Sequence, residues 1–547
     1  MRKRQCQLFV TGMLLAGSAV LVSAGSAGAS THSQPGAAAV PALRLNHPAP
    51  AGARPRPVTA VPLRVPDRAA YAAQKAAANA AAARLAAGRS RPSATPLAPS
   101  LPRNWAGLRD TTDAPSDSTG AIGTTRYIEL VNAKVAIYSR TSNTPTASGS
   151  LLALTGCVTQ TCNDSVFDVQ VIWDPATNRF YYATDDIVSN SQNFINFGFS
   201  TSATPTLSQA SWCRYSLPFG SVFPDYPKLG DTKDFALIGT NEFKGTTFIG
   251  SHIAWVTKPP AGSTCPAASS FKTGVSATLK NANGANAFTP VPGNQADPSS
   301  TGWAIARPGS IPSAGATFLT LFKVTKSSTG TATIPATGTA VPVAAYKVPA
   351  SAPQPGTTFK VDTLDARNTQ AQLAVDPSHG GVTALWTQHT VFGGAGAQVR
   401  WYEINPATHS LIQSGIVTST SLFTFDGAVS SDRRVNGTAR MFGGDLVIDV
   451  VQSSTTVLPT IKVASKVGSN PISALVQVAT SAAADTGFDC VKDAGLCRWG
   501  DYAAATPDPA SPTTGPTGEV WGSSMLAAAG GGITSSGWTT RNFAIKP

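Results

Sequence analysis

Short runs of β-branched and aromatic residues alternate with clusters of Gly, Pro, Asn, Asp and Ser from about residue 101 to the end of the sequence. Typical runs are RYIELVNAKVAIYS, VQVIWD, RFYYATDD, TFLTLFKVT and VRWYEI. Runs of this composition fit strands, and the clusters between them fit turns. No amphipathic helix of three turns interrupts the pattern. The sequence therefore predicts an all-β domain over residues 101–547, which is too long for one simple sandwich.

A hairpin pattern recurs within this domain. A strand, an Asp-Pro turn and a second strand occur in residues 169–186, 371–389 and 502–524, and an Asn-Pro version occurs in 399–415. Proline holds the residue before it extended, and the Asp side chain can accept backbone N–H bonds across the turn. Repeated antiparallel hairpins are typical of β-propeller blades, and at roughly 60–75 residues per blade the length predicts six or seven blades.

Residues 30–100 have a different composition, rich in Ala, Pro and Arg. They predict a spacer that is disordered or partly helical. Within the spacer, PDRAAYAAQKAAANAAAARLAAGRS indicates a helix with Asp67 as its N-cap and Gly88 at its end. Its only large apolar residues are Tyr71 and Leu85, so no wide apolar stripe is expected to pack. A basic arm that contacts the cell wall is the alternative.

The first 29 residues have the composition of a signal peptide. Three of the first four residues are basic, residues 8–22 are apolar, and residues 27–29 read Ala-Gly-Ala. The apolar stretch is shorter than the ~20 residues of a membrane span. We therefore expect an extracellular, secreted protein without membrane insertion.

The cysteines support export. Removal of the signal peptide with Cys6 leaves six, which allow fifteen pairings. The spacing suggests Cys157–Cys162 and Cys490–Cys497 as local disulfides and leaves Cys213 to pair with Cys265. A zinc site is the rival interpretation, but no C-x-x-C motif occurs, and exported proteins favour disulfides.

The positive charge is confined to the start of the sequence. Of the 41 Lys and Arg, 13 lie in residues 1–103, which contain one acidic residue, Asp67, whereas residues 104–547 contain 28 basic and 28 acidic residues. The β domain is therefore neutral, and we expect no nucleic-acid binding by it.

Several stretches together resemble secreted bacterial propellers of the sialidase-like superfamily, which often carry BNR repeats. They are DVQVIWDPATNRFYYA (168–183), DYPKLGDTKDFALIGTNEF (225–243), VRWYEINPAT (399–408) and CRWGDYAAATPDP…GEVWGSS (497–524). The resemblance implies blades around a central funnel, with one blade closed by strands from both ends of the domain. RYIELVNAKVAIYS and NFAIK are the candidate closing strands.

The sequence departs from sialidases at the residues that matter for their activity. It contains no Asp-box of the form S-x-D-x-G-x-T-W, and Tyr402 and Glu403 would lie on opposite faces of a strand. No sialidase catalytic residue can be assigned, because a shared fold does not confer activity.

Polar residues recur near the starts of the repeated strands, at Asp168, Asp225, Gln370 and Asp501. Such positions face the funnel of a propeller. Asp168, Asp225 and Asp501 are the candidate catalytic residues, since neighbouring carboxylates can act as acid and base. The ligand-binding candidates are Gln170, Tyr226, Lys228, Gln370, Gln372, Arg498, Trp499 and Tyr502. The alternative for each Asp is a turn cap or a bridge between blades.

No metal site is predicted. The Asp485, Asp489 and Asp493 spacing lacks the D-x-D-x-D-G pattern of calcium loops, and the histidines His252, His379, His389 and His409 are scattered. Calcium bound by funnel carboxylates is conceivable without a motif, and no other cofactor is expected.

The leading functional hypothesis is a monomeric module that binds carbohydrate or a cell-surface protein through the funnel. A glycoside hydrolase or lyase that uses the funnel carboxylates is the second hypothesis. A structural exoprotein without a ligand is the third.

Overall fold

The computed structural model describes residues 42–58, 63–85, 97–433, 443–511 and 517–547. They belong to one compact unit that spans Val40–Pro547. The signal-peptide prediction lies outside the described residues.

Seven antiparallel sheets follow one another along the described chain, and we number them in that order. Sheet 1 contains Thr119–Ile122, Arg126–Val131, Lys134–Ser139 and Pro145–Ser150. Sheet 2 contains Ser165–Asp174, Arg179–Ser189, Gln192–Ser200 and Trp212–Gly220, joined by Arg44–Leu45. Sheet 3 contains Phe223–Asp231, Phe235–Lys244, Thr247–Thr257 and Thr273–Val275. Sheet 4 contains Ala287–Pro292, Gly302–Pro308, Ala316–Lys326 and Thr339–Tyr346, with Ala332–Thr333 at its side.

The remaining sheets have the same plan. Sheet 5 contains Asn368–Asp376, Val382–Val391, Gln398–Asn405 and Ser410–Val417, joined by the parallel strand Asn294–Gln295. Sheet 6 contains Phe423–Ser431, Leu446–Ser453, Thr460–Lys466 and Val476–Thr480. Sheet 7 contains Ala504–Pro507, Val520–Ala527, Trp538–Lys546 and Ser100–Ala106. A small separate sheet contains Ala352–Pro353, Lys360–Val361 and Leu496–Cys497.

The few helices are short apart from one. The α-helices are Arg68–Leu85, Leu151–Thr155 and Phe488–Lys492. The 3-10 helices are Gln209–Ser211, Ala268–Ser270 and Pro377–His379.

The seven sheets form a ring. The first strand of each sheet contacts the first strand of the next, and the first strand of sheet 7 contacts that of sheet 1. The first strands therefore surround a central axis, and apolar side chains fill the space between neighbouring sheets. The all-β propeller fold predicted from the sequence is confirmed.

Sheet 7 closes the ring by combining the two ends of the domain. Its fourth strand, Ser100–Ala106, pairs antiparallel with Trp538–Lys546. The NFAIK stretch is thus a closing strand, whereas the prediction for RYIELVNAKVAIYS is wrong. That stretch forms the second and third strands of sheet 1, because its turn at residues 132–133 folds it into a hairpin.

The predicted Asp-Pro turns connect strands as expected. Asp174, Asp376 and Asp508 each accept a hydrogen bond from the backbone N–H two residues later, at 2.9, 2.7 and 2.8 Å. The carboxylates therefore cap their turns.

All three predicted disulfides are present, Cys157–Cys162, Cys213–Cys265 and Cys490–Cys497. Three disulfides fit an oxidising compartment. Among the described residues, no helix has the length and apolar character needed to cross a membrane.

The long helix lies where the sequence places it. Asp67 Oδ1 accepts a hydrogen bond from Ala70 N at 2.9 Å, which makes Asp67 the helix cap, while the predicted end at Gly88 is outside the described residues. The sequence did not indicate that this helix packs on the ring. Ala78 and Ala82 are buried together with Ala350, because alanine side chains allow close approach without a wide apolar stripe. We call residues 63–85 the strap.

Candidate functional site

Five candidate residues from distant parts of the sequence meet at one small cavity, which we call the mouth cavity. Its volume is about 40 Å³. Asp168, Asp225 and Asp501 line it together with Tyr226 and Arg498. A volume of this size holds a few water molecules at most, so the cavity is closed to larger ligands as it stands.

A repeated irregularity of the backbone builds this region. The first strands of sheets 2 to 6 each contain a two-residue bulge at the same place. The first residues of these bulges are Asp168, Tyr226, Thr289, Thr369 and Asp426. All except Thr369 have a positive φ, between 46° and 62°. Residues other than glycine rarely adopt a positive φ, so the backbone is strained at these bulges. The bulges also interrupt the regular alternation of side chains between the two faces of the strand.

Because of the bulges, the residues predicted to be equivalent at the strand starts do not occupy equivalent positions. Asp168 is matched in sheet 3 by Tyr226, and Asp225 lies one residue earlier. Gln370 is the second bulged residue of sheet 5, and Asp501 precedes the first strand of sheet 7. Each bulge adds one residue to a strand. The side chains after it therefore no longer follow the two-residue alternation between faces on which the predicted equivalence depended.

The carboxylates of the mouth cavity hold their protons unusually strongly. Burial, followed by repulsion from Asp168, raises the pKa of Asp117 to about 8. Burial with repulsion from Asp225 and Asp501 raises the pKa of Asp168 to about 6. Burial also raises the pKa of Asp225 to about 7 and that of Asp501 to about 6, although nearby arginines oppose the shift. Near neutral pH the cavity therefore contains both protonated and ionised carboxyl groups.

Asp117 and Asn132, which the sequence did not single out, connect these carboxylates. Asn132 donates through Nδ2 to Asp117 Oδ2 at 2.7 Å and accepts from the backbone N–H of Asp168 at 3.0 Å. The backbone N–H of Asp501 donates to Asp117 Oδ1 at 3.2 Å. Asp117 is therefore placed between two of the predicted aspartates.

Buried cations surround the acidic groups. Arg498 forms an ion pair with Asp501, and the Arg367 guanidinium lies 4.5 Å from the centre of the Tyr226 ring. Arg367 also donates from Nε to Asp365 Oδ1 at 2.7 Å. The positive charges of Arg498 and Arg367 partly offset the negative charge of the ionised aspartates at the mouth cavity.

Lys228 is buried differently from the arginines. Its Nζ lies 4.0 Å from the centre of the Tyr226 ring and 3.3 Å from that of Tyr502. No described residue forms a hydrogen bond with this Nζ, and burial lowers the pKa of Lys228 well below its usual value. The two rings supply a cation–π environment in place of hydrogen bonds.

Three further carboxylates, on Asp185, Asp426 and Asp449, are buried outside the lining of the mouth cavity, and the charges of the cavity aspartates act on Asp185 and Asp426. They are at most 4% exposed. No described residue donates a hydrogen bond to the Asp185 or Asp426 carboxylate, whereas backbone N–H groups of Asp449 and Ala428 face that of Asp449. Burial raises the pKa of each, and repulsion from Asp168 adds to the effect at Asp185. This end of the funnel thus concentrates hydrogen-bond acceptors that lack donors.

The glutamine candidates lie elsewhere. Gln170 and Gln370 line a second cavity of about 30 Å³ among the first strands. Gln370 bridges to sheet 7 by donating to Ala505 O at 2.5 Å and accepting from Ala505 N at 3.1 Å. Gln372 donates to Asn294 O at 2.7 Å. Gln372 holds the paired strand Asn294–Gln295, whereas Gln370 links the first strands of sheets 5 and 7, which are not neighbours in the ring. Both act as bridges, which is the alternative considered for the repeated polar positions.

Two aromatic candidates are buried rather than presented to the cavity. Trp499 is 1% exposed and packs edge-on against Phe425, with ring centres 6.1 Å apart. Tyr502 is fully buried beside Tyr226, with ring centres 4.8 Å apart. Tyr502 supports the wall of the site, and Trp499 belongs to the core.

The strap covers the mouth cavity, since Leu63 and Arg64 form part of its wall. Arg64 Nε lies 3.9 Å from Asp225 Oδ1, and the guanidinium lies 4.2 Å from the centre of the Phe223 ring. The carbonyl oxygen of Arg64 accepts a hydrogen bond from Arg367 Nη2 at 2.8 Å. The strap thus places the positive charge of Arg64 beside the Asp225 carboxylate.

Lys75 anchors the strap further along the helix. Its Nζ donates to Thr363 Oγ1 at 2.9 Å and Leu364 O at 2.8 Å, and lies 3.3 Å from Asp362 Oδ1. Lys75 is only 6% exposed, so the strap is fixed by a buried polar contact as well as by its alanines.

Sequence reasoning missed Asp117, Asp185, Arg367, Asp426 and Asp449. One signal was available, because a Phe-Asp pair occurs near the start of the first strand in both sheet 2 and sheet 6, at residues 167–168 and 425–426. The others lie in loops or second strands, where no repeat marks them.

No protein-family model matches the sequence, and no curated protein is significantly similar to it. Among solved structures, the Dos1 propeller is 10% identical, with 82% of this chain and 94% of that chain aligned at a TM-score of 0.36. A subtype N10 neuraminidase-like protein of A/little yellow-shouldered bat/Guatemala is 8% identical, covering 65% and 96% at a TM-score of 0.32. An endo-arabinase from Bacteroides thetaiotaomicron is 12% identical, covering 59% and 93% at a TM-score of 0.26. These alignments are loose, and the propeller fold rests on the sheet topology described above.

Proposed function

We propose that the protein is a secreted propeller that binds carbohydrate at its mouth cavity. The observation that carries the proposal is the meeting of Asp117, Asp168, Asp225 and Asp501 at one cavity, where Asp501 Oδ1 accepts no hydrogen bond from the described residues. Sugar hydroxyls are hydrogen-bond donors, and the Phe223 ring, which the Arg64 guanidinium now covers, would offer an apolar face beside the acids when the strap opens. A ligand of this kind would satisfy groups that are costly to bury unpaired.

Carbohydrate binding in this proposal requires the strap to move. A small-molecule site usually has a volume of about 300–1,000 Å³, whereas the mouth cavity measures about 40 Å³ with Leu63 and Arg64 in its wall. Arg64 already supplies donors and positive charge to the acidic group, so it competes with the ligand. Opening of the strap would widen the cavity and remove this competitor.

Binding is tested on a glycan array, followed by calorimetric titration of the best oligosaccharide. The full chain is compared with Lys75→Met, which removes the buried anchor of the strap. We expect tighter binding by Lys75→Met, and at least a tenfold loss when Asp168→Asn or Asp501→Asn is added. Asp234→Asn is the control, because Asp234 pairs with Lys326 outside the cavity. The proposal fails if no glycan binds to either form, or if both cavity variants bind as the control does.

A glycoside hydrolase is the second candidate, and one observation favours it. Asp117 and Asp168 are joined through Asn132 and have pKa values of about 8 and about 6. A protonated carboxyl beside an ionised one is the arrangement of a general acid and base. Turnover of fluorogenic glycosides that both Asp117→Asn and Asp168→Asn abolish would select this candidate. Binding without turnover selects the binding module.

A further inference from the structure

A second group of polar side chains lies at the Asp-Pro turn of sheet 5. Asp376 ends the first strand, His379 lies in the turn, and Glu403 lies in the third strand. Each residue offers one ligand atom, and these atoms lie within 4.8 Å of one another. The group is at the other end of the first strand from the bulge, roughly 23 Å away at 3.3 Å per residue. It is therefore separate from the mouth cavity.

Hydrogen bonds hold the two carboxylates in place. Asp376 Oδ1 accepts from Ser378 N at 2.7 Å, and Glu403 Oε2 accepts from Gln413 Nε2 at 2.7 Å. Glu403 is fully buried, yet its Oε1 accepts no hydrogen bond from the described residues. The His379 ring contacts Asp376 Oδ2, and its side chain is 45% exposed. The group thus combines an orphaned buried oxygen with an open side towards solvent.

The other Asp-Pro turns show what is unusual here. Asp174 Oδ2 lies 2.9 Å from Lys258 Nζ, and Asp508 Oδ1 accepts from Arg140 Nη1 at 2.8 Å. In both turns, a cation from a neighbouring sheet balances the Asp. Lys466 of the neighbouring sheet 6 acts on Asp376 and Glu403 only from beyond 4.0 Å, because its Nζ donates to Gly468 O. Asp376 therefore has no direct Lys or Arg contact in the described chain and instead lies beside the second carboxylate of Glu403. Two ionised carboxylates buried side by side are unfavourable unless a cation lies between them or a proton is shared between them.

We propose that Asp376, His379 and Glu403 bind one divalent transition-metal ion, with Zn²⁺ the best match to two carboxylates and an imidazole. Zinc takes carboxylate oxygens and imidazole nitrogens at about 2.0–2.2 Å, so ligands of one ion lie up to about 4 Å apart. To bind one ion, the His379 ring and Asp376 Oδ2, which are in direct contact, must separate slightly, and the most distant of the three ligand atoms must move inward by less than about 1 Å. Water completes the coordination on the exposed side of His379. The ion joins the turn to the third strand of sheet 5 and replaces the Lys or Arg of the other turns.

Zinc binding is measured on the tag-free full chain after treatment with EDTA. Addition of ZnCl₂ should raise the melting temperature by several degrees and saturate near one equivalent, since an ion that binds only the folded state stabilises it. Co²⁺ as a probe should give visible absorption bands. Both signals should disappear in His379→Ala and Glu403→Gln. His409→Ala is the matched control, because His409 lies in the turn between the third and fourth strands of the same sheet, and this variant should behave as the unaltered protein.

The metal-free melting temperatures separate loss of the site from loss of the fold. Glu403→Gln removes repulsion between two carboxylates, so without metal this variant should melt at the same temperature as the unaltered chain or higher. The proposal is overturned if zinc produces no shift in the unaltered chain, as it would if Asp376 and Glu403 shared a proton instead. A zinc shift that persists in both variants also overturns it.

Discussion

The hydroxyl of Tyr226 donates a hydrogen bond to the backbone oxygen of Asp501 at 2.6 Å. Tyr226 belongs to sheet 3, and Asp501 leads into sheet 7, and these two sheets are not neighbours in the ring. The contact therefore spans the funnel at the mouth cavity. It fixes the distance between an aromatic wall and one of the candidate carboxylates.

Tyr226→Phe should destabilise the protein by about 1–3 kcal/mol, because it removes this buried hydrogen bond and deprives the Asp501 carbonyl of a donor. Tyr502→Phe is the matched control. The Tyr502 hydroxyl has no hydrogen-bond partner among the described residues, so its removal should be neutral or slightly stabilising. Urea unfolding of the two variants measures the difference, and equal losses would contradict the assigned contact.

The pKa of Asp117 makes stability depend on pH. An unfolded Asp releases its proton near pH 3.9, whereas the raised pKa of about 8 keeps Asp117 protonated in the folded chain. The folded state thus binds more protons than the unfolded state between these values, so this group's contribution to stability falls as the pH rises from about 4 to about 8. The slope for one group is about 1.4 kcal/mol per pH unit.

Asp117→Asn should lower the slope measured by urea unfolding between pH 5 and pH 8 by about 1.4 kcal/mol per pH unit, and the raised pKa values of Asp168, Asp225 and Asp501 should maintain the rest. Asp234→Asn provides the comparison, because the pKa of Asp234 is lowered by hydrogen bonds from Lys326 and Ser300 despite the opposing effect of burial. Asp234 is ionised in both states above pH 5, and its variant should keep the pH dependence of the unaltered protein. Identical profiles for both variants would refute the role of Asp117.

The strap should detach when its buried anchor is removed. Lys75→Met leaves the carboxylate of Asp362 without its cation, and breaking a buried ion pair costs about 3–5 kcal/mol. Hydrogen exchange over residues 68–85 should speed up by at least tenfold while the sheets remain protected. Arg84→Met removes the same charge from an exposed position in the last turn of the helix and should leave exchange unchanged. Equal hydrogen-exchange rates over residues 68–85 in the two variants would show that Lys75 does not hold the strap on the ring.

The disulfides should contribute unequally. Cys213–Cys265 closes a sequence separation of 52 residues, and Cys157–Cys162 one of 5. Loop-closure entropy predicts about 4 kcal/mol for the longer loop and about 2 kcal/mol for the shorter one. Chemical unfolding of the two double Cys→Ser variants tests the order, and a larger loss for the shorter loop would contradict it.

The fold was predictable because most strands have a local signal. The Asp-Pro turns at Asp174, Asp376 and Asp508 and the runs of β-branched residues mark hairpins directly. The closing strand Ser100–Ala106 was not predictable, because SLPRNWA contains one proline and few β-formers and is held by pairing with residues 538–546. The sequence also could not decide between six and seven blades, because the number of blades is set by contacts between residues far apart in the sequence.

The candidate site was predictable only in part, for a different physical reason. Asp168, Asp225 and Asp501 could be found as polar residues near strand starts, but their register depends on bulges that sequence periodicity does not reveal. Asp117 lies in a loop, and Arg64 reaches the cavity because the strap docks across the ring. Their position is decided by tertiary packing, which leaves no local pattern.

The closing strand also sets the order in which the molecule can be completed. Residues 100–106 are synthesised before every sheet of the ring, and their partner, residues 538–546, comes after all of the others. The early strand must therefore wait unpaired until the last hairpin has been synthesised, so sheet 7 is completed after the other six sheets. Removal of residues 538–546 would leave that early strand without its partner, so closure of the ring depends on the last strand of sheet 7 to be synthesised.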